Sequence, residues 1–260
     1  VHDAHAIEQV LFALQIDRAL DDQGFEQVRS IAAQFQEELP GRTEIQGFPL
    51  AIGPISPGPS AGSVFRSTRR DGTVENELKV ERASITYRTT SYSRWDAVWG
   101  RARIYFDALL PTYVAQGRVL GISLNYVDKF FWRGEVRECR PSLLLRPTSN
   151  YLCPHVYDAE DLWHSHTGAF IRVDDATKRL LNVNVDYLDE NQPNGIRRVV
   201  VITIVLTDLM NQPGYTAWHL TAENPSELFA TRMSQLHNFG KEVFGNIIND
   251  TMSRRIALTD

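Results

Sequence analysis

One segment, residues 199–206, constrains the fold of this chain more than any other, and its sequence is Val-Val-Val-Ile-Thr-Ile-Val-Leu. It is far shorter than the roughly 18 consecutive apolar residues that a membrane-spanning helix needs. A short apolar run rich in β-branched residues is typical of a strand that is covered on both faces. We therefore expect residues 199–206 to form a central strand, which requires further strands on either side.

Period-two alternation of apolar and polar residues predicts those further strands. The alternation is clearest in residues 119–131, where Ile122, Leu124 and Tyr126 share one face. An Asp71-Gly72 turn joins two strands of an antiparallel meander between residues 63 and 89. Other strands are predicted at residues 8–16, 43–52, 163–173 and 180–188.

Three amphipathic helices accompany the strands. The first lies within residues 25–39, where apolar residues recur at three- and four-residue spacing. Ser93 is the predicted N-cap of the second, whose aromatic stripe over residues 95–113 is more typical of a core than of a ligand site. The third is long and begins with Asn224 as N-cap and Glu227 as its capping-box partner.

These patterns predict an α+β protein with mainly antiparallel sheets in two halves, packed against amphipathic helices that include the long C-terminal helical segment. Residues 1–132 form the N-terminal half and residues 162–260 the C-terminal half. The connecting segment, residues 133–161, loses hydrophobic periodicity and contains three prolines. The two halves either pack as one unit or stand apart. Residues 53–59, rich in glycine and proline, predict a surface loop.

Composition excludes several classes of protein. With 260 residues, 43% of them hydrophobic, the chain has enough apolar surface for a globular core. Its net charge of -5 disfavours general attraction to nucleic acid or anionic membrane, and no apolar run is long enough to span a bilayer. A cytoplasmic location without membrane contact is therefore expected.

Cys139 and Cys153 match neither a CxxC pair nor a zinc site, which leaves a single disulfide as an alternative to two free thiols.

A candidate metal site is formed by His164 and His166, because a strand places residues two apart on the same face. A metal needs a third ligand, and His155, His219, His237 and Asp186 are available in the chain, although no pattern brings any of them near. We expect a solvated or hydrogen-bonded strand face here, with a metal-dependent enzyme as the alternative. On the terminal helix, His237 is expected to be packed and hydrogen-bonded.

A second candidate site is the basic cluster of Arg66, Arg69 and Arg70 beside Phe65. Such a cluster can contact phosphates, but scattered arginines in an acidic chain are more typical of an ordinary solvated surface. Nucleic-acid binding therefore stays an alternative. No phosphate-binding glycine loop, nucleophile elbow or H-E-x-x-H helix occurs in the sequence, so no catalytic residue is assigned and no cofactor is expected.

Four short segments carry a resemblance to a known family. They are residues 6–12, the segment Thr86-Tyr87-Arg88-Thr89 with Tyr92 and Trp95 after it, residues 124–128, and Leu236-His237-Asn238 with Phe244 and Ile247. In their order and spacing the chain resembles a sporadically distributed, largely uncharacterised bacterial family of similar length. Family members commonly have Arg and Asn where this chain has Asn125 and Asp128. The resemblance implies an α+β protein and supplies no catalytic residues.

The second half is also similar in element order to the export chaperone SecB, which is a likeness of fold. Together with the many aromatic residues and the lack of a catalytic motif, it favours a non-enzymatic protein-binding or regulatory component. Such a component would be chaperone-like or belong to a bacterial defence or toxin-control system. Its expected partner is another protein or a second copy of the chain.

Overall fold

The computed structural model describes residues 7–46, 60–192, 195–218, 224–256 and residue 258. Nine strands lie in these ranges: β1 Ile7–Ile16, β2 Gly41–Gln46, β3 Ser60–Thr68, β4 Val74–Glu81, β5 Ser84–Thr89, β6 Val119–Phe131, β7 Trp163–Arg172, β8 Thr177–Gln192 and β9 Gly195–Met210. Four α-helices accompany them: α1 Asp22–Ala33, α2 Trp95–Gln116, α3 Pro225–Ile247 and α4 Asp250–Arg255. Three short 3₁₀ turns occupy the connecting segment, at Val136–Glu138, Pro141–Leu143 and Pro154–Tyr157.

All nine strands form one antiparallel sheet in the order β2-β3-β4-β5-β1-β6-β9-β8-β7. The α+β class and the antiparallel pairing predicted from the sequence are therefore confirmed. The strands of residues 1–132 meet those of residues 162–260 where β6 pairs with β9, from Gly121 opposite Leu209 to Phe131 opposite Val199. A single sheet thus continues across the connecting segment.

The helices cover one face of the sheet. Val10, Phe12 and Leu14 of β1 and Ile122 and Leu124 of β6 point to that face and are fully buried. α2 packs on β1, and α3 packs on β6 and β9. This face holds the hydrophobic core.

The prediction that residues 199–206 are covered on both faces is wrong. β9 does lie inside the sheet, between β6 and β8. Ile202, Ile204 and Leu206 face the helices and are buried, whereas Val201 and Val205 point to the other face and are only half-buried. On that second face the side chains opposite Val201 and Val205 on β6 and β8 are polar, namely Lys129, Asp186, Asn125 and Asn182, so the two valines are half-buried among cross-strand neighbours without a covering layer.

The helix starts agree with the sequence in one case and differ in another. The side chain of Asn224 accepts a hydrogen bond from the backbone amide of Glu227, as predicted for α3. Ser93 is not the N-cap of α2, because the helix begins one residue later, after Arg94 in extended conformation. Within the described ranges, none of the helices is both long and apolar enough to cross a membrane.

Two further predictions fall partly or wholly outside the described residues. β2 begins at Gly41 and is described to Gln46, so the rest of the strand expected over residues 43–52 lies beyond that range. The surface loop expected at residues 53–59 lies entirely outside the described residues.

Candidate functional site

A pocket of about 440 Å³ opens at one end of the sheet, where β6 ends and β9 begins. The connecting segment and α4 close its other sides. Most of the lining is apolar and consists of Phe130, Phe131, Trp132, Leu143, Leu144, Val200, Met252 and Ile256. This volume falls within the range of about 300–1,000 Å³ that is usual for ligand sites in proteins.

The walls of the pocket are built by residues that the sequence assigns to a plain connection. Pro141 opens a 3₁₀ turn, after which Leu144 and Leu145 are buried. The amide of Asn249 donates to the carbonyl of Leu144 at 2.8 Å, and the amide of Arg146 donates to the carbonyl of Ile247 at 2.8 Å. The connecting segment is therefore tied to the end of α3 and the start of α4, which fixes one wall of the pocket.

The mouth of the pocket carries an excess of positive charge. Arg133, Arg140 and Arg255 line it and are exposed, and none of them has a carboxylate partner among the described residues. Arg140 donates only to the carbonyl oxygens of Arg137 and Cys139, at 2.6 and 3.1 Å. A fourth lining arginine, Arg198, is already neutralised by a carboxylate. The site is therefore locally cationic in a chain whose net charge is -5.

The pairing of Arg198 shows how the other three differ. Its guanidinium lies 2.5 Å from a carboxylate oxygen of Asp189 and sits 4.7 Å from the ring centroid of Tyr187. Only 10% of its side chain is exposed. It therefore acts as part of the pocket wall, whereas the three exposed arginines have guanidinium groups that no carboxylate of the described residues neutralises.

The pocket offers binding groups and little that could move a proton. Besides its arginines, the one ionisable side chain among the described lining residues is that of Cys139. Burial raises the pKa of the Cys139 thiol, which keeps it protonated, and both Cys139 and Cys153 are free. Because the thiolate is the reactive form of cysteine, this thiol is a weak nucleophile. The arrangement can hold an apolar group and an anion.

A second group of polar residues lies under the helices, away from the pocket. Tyr126 and Asp128 both point from β6 to the helix face, and the hydroxyl of Tyr126 is 2.8 Å from Nδ1 of His237 on α3. The His237 ring stacks on Trp95 with centroids 3.9 Å apart and an interplanar angle of 4°. Tyr92 meets Tyr126 edge to face at 6.4 Å. His237 is thus packed and hydrogen-bonded, as the sequence predicts.

Burial keeps this group uncharged near neutral pH. Asp128 is 3% exposed, belongs to no salt bridge of the described residues, and its burial raises the pKa of the carboxyl to about 8. Burial, assisted by the charge of Lys241, lowers the pKa of His237 to about 4. Burial also raises the pKa of Tyr126 well above its ordinary value. A neutral histidine that shares a hydrogen bond with Tyr126, and a protonated carboxyl two residues along the strand from that tyrosine, are polar groups held inside the core without an ion pair.

The predicted metal residues lie on the opposite face of the sheet. His164 and His166 are exposed on β7, the edge strand, opposite Asp186 and Asn184 of β8. Asn184 donates to the carboxylate of Asp186 at 2.6 Å. In the described part of the chain, no group of three His, Cys, Asp or Glu side chains is placed to hold a metal. Of the other candidate ligands, His219 lies outside the described residues.

The predicted basic cluster is interleaved with acidic side chains. Arg66 lies 2.6 Å from a carboxylate oxygen of Glu77, and Arg69 lies 3.8 Å from Glu75. Arg70 is exposed in the turn between β3 and β4. The structure brings these three arginines together on one hairpin, but their charge is largely compensated there, and none of them lines the pocket.

The pocket arginines were not predicted from the sequence, because they come from three separate segments. A weak signal did exist in the apolar residues Leu143 to Leu145, which interrupt an otherwise polar connection. A stronger signal existed for Asp128, since it follows Tyr126 by two residues and so shares its buried face.

No protein-family model matches the chain, and no curated protein matches it. The bacterial family and the SecB-like element order therefore stay predictions from the sequence.

Proposed function

We propose that this protein is a non-enzymatic binding protein whose pocket holds a ligand with an apolar part and a negatively charged part. One observation carries the proposal: an apolar pocket of about 440 Å³ has three arginines at its mouth without carboxylate partners among the described residues. The apolar walls would stabilise a bound apolar group by about 25 cal/mol for each Å² removed from water. The guanidinium groups would attract and orient the anion.

The chemistry of the lining supports binding over catalysis. General acid–base catalysis needs a group whose pKa lies near the working pH, usually a histidine or a carboxylate. The described lining supplies arginines, whose guanidinium groups donate hydrogen bonds and accept none, and one buried thiol. The protein partner, the cytoplasmic location and the chaperone-like or toxin-control role expected from the sequence are parts of this proposal.

The test uses the amphipathic anion 8-anilinonaphthalene-1-sulfonate, whose fluorescence rises when it enters an apolar site. We expect binding by the wild type and roughly tenfold weaker binding by the double variant Arg140→Gln/Arg255→Gln, since each exposed charge pair contributes up to about 1 kcal/mol. Arg254→Gln is the matched control, because Arg254 is exposed on the same helix but does not line the pocket. Equal binding by the double variant and the control, with both folded by circular dichroism, would contradict the proposal.

A further inference from the structure

The three arginines without carboxylate partners among the described residues reach the pocket from two parts of the chain, the connecting segment and α4. Arg133 follows β6, Arg140 precedes the second 3₁₀ turn, and Arg255 ends α4. A guanidinium binds one carboxylate best through two parallel hydrogen bonds. Pairing of this kind uses both oxygens of a carboxylate on one guanidinium, so three guanidinium groups offer places for several carboxylates of one ligand.

The apolar surface also extends beyond the pocket. Leu143 lines the pocket, yet 50% of its surface is exposed, so it offers apolar contact at the rim as well as inside. A cavity of about 440 Å³ lies in the lower half of the usual range for ligand sites. It is matched to one or two large side chains of a longer ligand that continues across the rim.

Charge complementarity favours an acidic ligand at the cationic mouth of the pocket. The rest of this protein, with a net charge of -5, would repel an acidic polypeptide, so such a ligand would be attracted to the mouth and not to other parts of the surface. We propose, on the basis of the binding function above, that the pocket takes an acidic polypeptide segment with a large apolar side chain at its centre. The apolar side chain enters the pocket, and carboxylates on either side of it meet the arginines.

The apolar and the charged lining residues are expected to have different roles in binding this segment. Phe130, Leu144 and Ile256 are buried and form fixed walls, which suits an apolar anchor. Arg133, Arg140 and Arg255 are exposed and not held by ion pairs of the described chain, which suits adjustment to carboxylates of a flexible segment. The walls thus provide affinity and the arginines provide selection for acidic sequences.

Four probes test this inference, three labelled peptides followed by fluorescence anisotropy and one fatty acid followed by competition. The first is a labelled hexapeptide, Asp-Glu-Leu-Phe-Glu-Asp, acetylated and amidated. The second replaces its acidic residues by Asn and Gln, and the third replaces Leu-Phe by Ala-Ala. The fourth is dodecanoate, a single carboxylate with an apolar chain, used as a competitor against 8-anilinonaphthalene-1-sulfonate.

We expect the first peptide to bind roughly tenfold or more tightly than the second and third, and its binding to weaken with added salt. Arg140→Gln/Arg255→Gln should lose that preference, and Arg254→Gln should keep it. Binding of dodecanoate without binding of the acidic peptide would overturn this inference and leave the proposed function standing. Equal binding of the acidic and neutral peptides would also overturn it, whereas failure of all four probes would overturn both.

Discussion

Replacing Asp128 by Asn should stabilise the protein at neutral pH. The carboxyl is 3% exposed, has no salt bridge in the described residues, and its pKa rises from an ordinary value of 3.8 to about 8. In the folded protein it keeps its proton up to about pH 8, whereas the unfolded chain releases that proton above about pH 4. The stability linked to this group is therefore complete below pH 4 and is lost progressively as the pH rises toward 8.

The size of the effect follows from the pKa difference. Each unit is equivalent to about 1.4 kcal/mol, so roughly three units between pH 3.8 and pH 7 amount to about 4 kcal/mol. An asparagine has nearly the same shape and never ionises, although it must bury an amide, which costs about 1–3 kcal/mol if no partner is found. We therefore expect Asp128→Asn to be about 1–3 kcal/mol more stable than the wild type at pH 7, and the stability difference between the two proteins to change by about 4 kcal/mol between pH 4 and pH 7.

Urea unfolding followed by tryptophan fluorescence at pH 3, 4, 5.5, 7 and 8.5 measures this difference. Asp17→Asn is a control of opposite sign, because hydrogen bonds to Arg118 lower the pKa of Asp17. That variant should be less stable than the wild type at pH 7, and the deficit should shrink as the pH falls below about 4. If Asp128→Asn lost the same free energy at every pH, Asp128 would be ionised in the folded protein and its assigned state would be wrong.

Three further predictions concern the interior. Because burial lowers the pKa of His237 to about 4, its imidazole should show no NMR titration shift between pH 8 and pH 5.5, and a midpoint near 6.5 would contradict this. Arg179→Met should cost about 3–5 kcal/mol in unfolding free energy, because it strands the fully buried Asp208, 2.6 Å away, and a second change, Asp208→Leu, should recover most of the loss. Gly245→Ala should raise the thermal midpoint, because the new methyl group meets its nearest neighbour at 3.6 Å. Gly240→Ala should not raise it, because a methyl group there lies 3.1 Å from a methyl group of Leu206. A larger gain from Gly240→Ala than from Gly245→Ala would contradict the close packing of α3 on Leu206.

Local patterns in the sequence predicted the elements of the fold well. The alternation over residues 119–131 matches the bounds of β6, and the Asp71-Gly72 turn lies between β3 and β4, with Gly72 at a φ of 84°. The cap at Asn224 is also where the sequence places it. Each of these features depends on residues close together in the chain, and so their physical cause is visible in a short window.

Features that depend on distant residues could not be predicted in this way. β1 lies between β5 and β6, a position set by side chains of three separate segments. The pocket brings together Arg133 and Arg255, which are separated by nearly half of the chain, and no local sequence pattern at either residue indicates that they are close. The uncovered face of β9 is a similar case, because the apolar run by itself does not indicate whether one or both faces of the strand are covered.

The eleven residue pairs between β6 and β9 have a consequence for the order in which this chain can acquire its structure. Of the nine described strands β1 is synthesised first, but its neighbour β6 begins more than 100 residues later, and β9 follows after a further interval of similar order. Such distant pairings raise the contact order, which slows folding. A nascent chain that stops in the connecting segment would expose β6 as a long apolar edge, open to pairing with other chains. Synthesis must therefore reach β9 before the centre of the sheet is protected from aggregation.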